Sequence, residues 1–123
     1  YIDRDPLFAE ALHVNTSYLT AVANDYGYDE IFSRLVKAKC SKGDALIGIS
    51  TSGNSPNVVK ALAMARELNI QTIGLVGQSG NAMTNYCDFI LKVPSKDTAR
   101  IQEAHIMIGH IICENVESIL FSG

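Results

Sequence analysis

The chain has 123 residues, of which 47% are hydrophobic and 19% charged, a composition that suits one globular domain with its own core. A formal net charge of −3 without any Lys/Arg block argues against binding a nucleic-acid backbone. No apolar stretch reaches the length of a membrane span and no signal-peptide pattern is present, so a soluble protein without a membrane role is expected.

The first residue is Tyr1 rather than Met, and Tyr1-Ile2-Asp3-Arg4-Asp5-Pro6 reads as the middle of a loop. Leu7 to Leu12, mostly apolar after a proline, is expected to be a strand that ends near His13. Asn15 or Thr16 then caps a helix through Ala23 that stops near Asn24-Asp25-Tyr26-Gly27. Asn24 and Asp25 fall where one helix hands over to another, a place where Asn and Asp ordinarily cap and turn the chain. A second helix opens at Tyr28-Asp29-Glu30, with Ile31, Phe32, Leu35 and Val36 as its apolar stripe and Lys37 and Lys39 toward its C-terminal end.

After the polar turn Ser41-Lys42-Gly43-Asp44, the run Ala45-Leu46-Ile47-Gly48-Ile49 is continuously apolar, as expected for a strand buried on both faces of a parallel sheet. It passes through Ser50-Thr51-Ser52-Gly53-Asn54 into Ser55-Pro56, a sequence in which Ser fits an N-cap and Pro the first helical position. The hydroxyls of Ser50, Thr51, Ser52 and Ser55, the free N–H groups and the positive end of the helix would then converge on one small anion, of which a phosphate is the natural example. The plainer alternative is a tight turn with an ordinary cap. The strand's C-terminal end favours a ligand, because open α/β sheets bind ligands there.

Val58 to Leu68 is helical by periodicity and ends at Asn69. Ile70 to Gly77 is the next strand, completing a βαβ unit. Gln78-Ser79-Gly80 is a loop on the same sheet edge, where a plain turn is preferred to a role for Ser79 and Gly80 in holding a ligand; Asn81 to Tyr86 is a short helix and Asp88 to Val93 a further strand. Asp97 or Thr98 caps a last helix from about Ala99 to Leu120. That helix is apolar on several sides, so burial is expected, against another subunit if not within the chain. The alternation of strands and helices makes the fold α/β, a three-layer sandwich of a parallel sheet flanked by helices, flavodoxin- or Rossmann-like, with no internal repeat and no linker.

Polar residues stand out on that last helix. At 100° per residue Gln102, Ile106, Gly109, His110 and Cys113 share one stripe, and His105 lies well round from His110. Gln102 and His110 are about 12 Å apart along the axis, a weak spacing for a shared metal. His110 therefore reads as a satisfied buried histidine, as a ligand, or as a general acid/base suited by an imidazole that titrates near neutrality. His105 and Glu103 read as structural. Cys40, Cys87 and Cys113 are odd in number and far apart, without a C-x-x-C pair. They read as small buried hydrophobes of a protein kept reduced in the cytoplasm.

Gly-Ile-Ser-Thr-Ser-Gly-Asn-Ser at 48 to 55 and Arg-Ile-Gln-Glu-Ala-His at 100 to 105, followed by Gly109-His110, closely resemble the SIS (sugar isomerase) phosphosugar-binding family, and within it the phosphoheptose isomerase branch. Asn24-Asp25-Tyr26-Gly27 and Glu30-Ile31-Phe32-Ser33-Arg34 also look like that family, so the resemblance covers nearly all of residues 1–123. It implies a SIS domain whose N-terminal part is missing, since the family's Asn-Gly-Gly-Ser stretch and the His and Glu of a preceding helix are not in this sequence. It implies that Ser50, Thr51, Ser52 and Ser55 bind the sugar phosphate, that Asn24, Asp25 and Gln102 contact the substrate, and that Gln102 and His110 serve a zinc ion, with His110 also catalytic. The reaction implied is the aldose–ketose isomerisation of sedoheptulose 7-phosphate to D-glycero-D-manno-heptose 7-phosphate, in heptose and lipopolysaccharide biosynthesis, by a cytoplasmic homotetramer. The alternative within the family is a non-catalytic protein that senses phosphosugars or binds a partner such as a replication initiator.

Overall fold

The computed structural model describes residues 2–121, so Tyr1 lies outside it. The core is a parallel sheet of three strands, β1 (Ala45–Ser50), β2 (Gln71–Val76) and β3 (Phe89–Lys92), in the spatial order β1-β2-β3. The register pairs Gly48 with Gly74 and Ser50 with Val76, and on the other side Gly74 with Ile90. Because side chains alternate across a strand, Leu46, Gly48, Ser50, Thr72, Gly74, Val76 and Ile90 share one face.

Two helices cover that face, α2 (Ile31–Lys39) and α3 (Pro56–Glu67), which pack on each other while α3 lies across β1 and β2. The stripe expected on α2 faces inward: Ile31, Leu35 and Val36 are buried and Phe32 is half-buried. Val36, Ala61, Ala65 and Ile70 form one buried cluster; Leu62, Val76 and Met83 form the next. Gly48 lets α3 approach, since a Cβ there would sit 3.0 Å from Val58 Cγ1 and 3.1 Å from Leu62 Cδ1.

The other face is built from Ile47, Ile49, Ile73, Leu75, Phe89 and Leu91, and it is only partly covered. Helix α4 (Thr98–Phe121) packs on β2, where Leu75 is buried, while Ile47, Ile49, Phe89 and Leu91 remain exposed. The expectation that the last helix is buried therefore fails within the chain: Ile106, Met107, Ile111, Ile119 and Leu120 are exposed. A helix of 24 residues is roughly 36 Å long, and three short strands offer too little surface to cover it.

Other expectations shift locally. Leu7 to Leu12 forms no strand; residues 2–11 have no regular structure and Phe8 is 90% exposed. The segment follows the outer edge of β1 without pairing to it, held by Lys39 Nζ to Glu10 (2.7 Å) and by Arg4 Nε to Glu117 (2.9 Å). Helix α1 (Thr16–Tyr26) starts at the expected cap, with Tyr18 N–H donating to Asn15 Oδ1, but continues through Asn24 and Asp25 to stop at Gly27. Tyr28–Glu30 is a 3-10 turn that precedes α2, and Asn81–Asn85 is likewise 3-10. Asp97 is the residue that caps α4, accepting from Ala99 N–H at 2.9 Å.

Candidate functional site

The serine loop leaves β1 at Ser50, whose side chain is buried and becomes the hub of the turn. Ser50 Oγ accepts from Gly53 N–H (3.2 Å), shares a 2.7 Å hydrogen bond with Ser55 Oγ and lies 3.4 Å from Ser52 Oγ. Ser55 occupies the N-cap position of α3, yet its hydroxyl makes no capping bond. The expected side-chain cap is corrected accordingly: the bond to Ser50 takes the hydroxyl, and Ser55 contributes only its carbonyl, which accepts from Val59 N–H at 3.0 Å. Among the described residues no protein acceptor takes the backbone N–H of Ser52 or Ser55. Donors of that kind at a helix N-terminus are what an anion requires.

A second loop braces the first, and by sequence it reads as a plain turn before it reads as a place where Ser79 and Gly80 help with a ligand. Gly77 N–H donates to Thr51 O (3.0 Å), Asn81 Nδ2 to Ser52 O (2.7 Å), Ala82 N–H to Asn54 Oδ1 (3.1 Å) and Met83 N–H to Gly53 O (3.0 Å). Gly53 has φ 68°, and a Cβ there would stand 2.2 Å from Gly80 O, so the two loops touch backbone to backbone. The glycines at 77 and 80 were the available signal: each faces a contact that a side chain would fill, Thr51 O at 2.6 Å and Thr84 Oγ1 at 2.6 Å.

Helix α4 meets this assembly through Ile101 and His105. Ile101 Cδ1 would lie 2.8 Å from a Cβ at Gly77, and buried His105 has Nε2 3.2 Å from Val76 O. The buried histidine of this helix is thus His105, and the stripe of Gln102, Ile106, His110 and Cys113 faces outward. Cys113 is accordingly no buried hydrophobe, whereas Cys40 and Cys87 are half-buried and burial pushes both thiols up.

Asn24 and Asp25 are exposed in the last turn of α1, joined by Asn24 Nδ2 to Asp25 Oδ1 at 3.1 Å. No hydrogen bond links them to the serine loop among the described residues. The 3-10 turn after them packs on α3, and Lys60, little more than a turn beyond Ser55, bonds Glu30 there. That bond, followed by the one from Ser33, holds the Glu30 carboxyl below its ordinary range. The end of α1 and the start of α3 therefore lie at the same end of the domain.

Zinc does not fit the residues of this chain by themselves. Among the described residues no three His, Cys, Asp or Glu side chains come together, and Gln102 and His110 are eight positions apart on one helix, short of a tetrahedral donor set. An apolar cavity of about 590 Å³ lies between Phe8–His13 and the outer edge of β1, including Leu46, Ile49 and Phe32. Glu10, His13, Lys39 and Asp44 stand among its otherwise largely apolar lining, and it excludes the serine loop, whose free N–H groups at the start of α3 make the loop the better anion site.

Comparison with known proteins agrees with this geometry. A family model described as SIS domain matches residues 1–77. The phosphoheptose isomerase of Clostridium acetobutylicum is 58% identical over 120 residues, and that of Aneurinibacillus thermoaerophilus 54% over 121; each match covers 98% of this chain and 61% of the relative. The chain thus spans about three-fifths of the length of the curated relatives it matches. Among solved structures, phosphoheptose isomerase GmhA from Neisseria gonorrhoeae superposes with a TM-score of 0.85 at 45% identity, covering 87% of this chain and 61% of that one. A phosphoheptose isomerase from Francisella tularensis gives 0.88 at 41%, covering 90% and 60%. With the parallel sheet, the serine loop and its bracing loop in place, the chain belongs to the SIS domain family.

Proposed function

We propose that this chain provides the phosphate-binding loop and one face of the active site of a phosphoheptose isomerase, converting sedoheptulose 7-phosphate to D-glycero-D-manno-heptose 7-phosphate. The observation that carries the reading is the serine loop, in which Ser50 and Ser55 hold each other while the Ser52 and Ser55 N–H groups stay available at the start of α3. Relatives at 52–58% identity are named phosphoheptose isomerases, which supports a heptose phosphate as the sugar.

In this reading Thr51, Ser52 and Ser55 grip the phosphate, the end of the substrate that does not react. Ser50 holds the loop's shape from inside. Isomerisation needs a proton taken from the carbon beside the carbonyl, an enediol-like intermediate, and a proton returned to the neighbouring carbon. His110 is the acid/base that this chain contributes, with Gln102 a polar contact on the same outward stripe and Asn24 and Asp25 further contacts from the end of α1. The apolar surface of α4 is the face through which copies assemble, as a homotetramer in the cytoplasm, so that stripe lies beside a neighbouring subunit.

The test is turnover of sedoheptulose 7-phosphate by the full-length polypeptide, followed by appearance of the aldose. Conversion is expected, and its absence with and without added zinc would remove the assignment. His110→Ala should lower kcat by about 10²-fold or more while phosphosugar still binds. Undiminished kcat in that variant would exclude His110 as the acid/base.

A further inference from the structure

His105 is the one histidine of α4 that is buried, and the proposed chemistry does not use it. Its Nε2 lies 3.2 Å from the carbonyl of Val76, the last residue of β2, while Nδ1 is buried without a hydrogen-bond partner among the described residues. A carbonyl only accepts, so the ring donates from Nε2 and is held in a single tautomer. Leaving the other nitrogen bare in the interior is costly, and an apolar side chain would avoid that cost. What the imidazole adds is a directional link between helix and sheet.

The position of that link is specific. Val76 is followed by Gly77, whose N–H donates to Thr51 O in the serine loop (3.0 Å) and against which Ile101 of α4 is pressed. The chain from His105 through Val76 and Gly77 to Thr51 is contiguous, with hydrogen bonds at both ends and one peptide between. It joins α4, which carries Gln102 and His110, to the serine loop. The helix packs on β2 and exposes most of its remaining apolar surface, so this link lies where α4 meets the sheet.

We infer that His105 is a positioning residue: its hydrogen bond to the end of β2 registers α4 against the serine loop, fixing the distance from the phosphate to the reacting end of the sugar. The inference rests on the isomerase reading for its catalytic consequence but not for its structural one. A displacement of about 1 Å is enough to cost roughly a hundredfold in rate.

Three variants of the full-length polypeptide test it. His105→Leu removes the donor, His105→Asn keeps an amide too short to reach Val76 O, and His105→Gln places an amide N–H near the position of Nε2. With sedoheptulose 7-phosphate, kcat should fall about ten- to a hundredfold in the Leu and Asn variants while KM changes by less than about threefold, and Gln should recover most of kcat. Amide hydrogen exchange supplies a readout independent of turnover: Gly77 and Gly53 should lose protection in the Leu and Asn variants and regain it with Gln. If wild type fails to turn over but the exchange pattern appears, the isomerase reading falls and the positioning role stands. Equal kcat and equal exchange in all folded variants would overturn the role, as would a Gln variant no better than Asn. Should Leu fail to fold, the contrast between Asn and Gln decides.

Discussion

Gly53 is the residue on which the serine loop depends most directly. Its φ of 68° is strained for any side chain, and the 2.2 Å approach to Gly80 O leaves no room for one. Gly53→Ala should destabilise the protein by about 1–3 kcal/mol and weaken binding of phosphosugar, as measured by thermal unfolding and by calorimetric titration. Ser55→Ala is a subtler change. Since the hydroxyl bonds Ser50 rather than a helix N–H, the stability loss should be that of one exchanged hydrogen bond, about 0.5–1.5 kcal/mol, with a larger proportional loss in phosphosugar affinity. Equal affinity for the same ligand in this variant would show the hydroxyl to be a brace for Ser50 alone. The composition of the loop was legible in the sequence. The assignment of Ser50 to the interior and of Ser55 to Ser50 was not, because both hydroxyls satisfy the local pattern of a cap or ligand equally well.

Among elements, β2 and β3 are tied together by a polar clip that the alternation of residues gave no hint of. Asp88 Oδ2 accepts from Thr72 N–H (2.9 Å) and lies 3.1 Å from the Thr72 hydroxyl, which also reaches Tyr86 O at 2.8 Å, and Asp88 N–H donates back to Thr72 Oγ1 at 3.0 Å. The backbone N–H of Thr72, first among several influences, holds the Asp88 carboxyl below its ordinary range. A carboxyl with a lowered folded-state pKa adds stability above its unfolded pKa and loses it as the pH falls through the folded value. Asp88→Asn should therefore have a lower Tm than wild type at neutral pH, and the gap should close as the pH drops below roughly 4. A gap that persists unchanged at pH 2.5 would assign the effect to packing. The elements themselves are largely readable: the βαβ unit and the α2 stripe follow from periodicity, and end signals narrow the α4 cap to Asp97 or Thr98, of which the structure selects Asp97. Leu7 to Leu12 has the apolar content of a strand and forms none, because apolar content makes a strand only where a neighbour supplies the ladder.

On the scale of the whole molecule, two surfaces gather exposed large apolar side chains: the outward side of α4 and the outer sheet face with Ile47, Ile49, Phe89 and Leu91. Within the proposed assembly, α4 is the surface that meets another copy. Met107→Glu combined with Ile111→Glu should reduce the molar mass measured by light scattering, since both side chains are exposed and one turn apart on α4. An unchanged mass would place the interface elsewhere. By itself the sequence determined the α/β class, the position of the serine loop between β1 and α3, and the family, because these depend on local pattern and on motifs in fixed order. Only the tertiary structure decided that Gly77 and Gly80 brace the serine loop, that His105 rather than His110 is buried, and that α4 turns its apolar surface outward. Each of those depends on which element lies opposite, a relation between distant segments that no local periodicity contains.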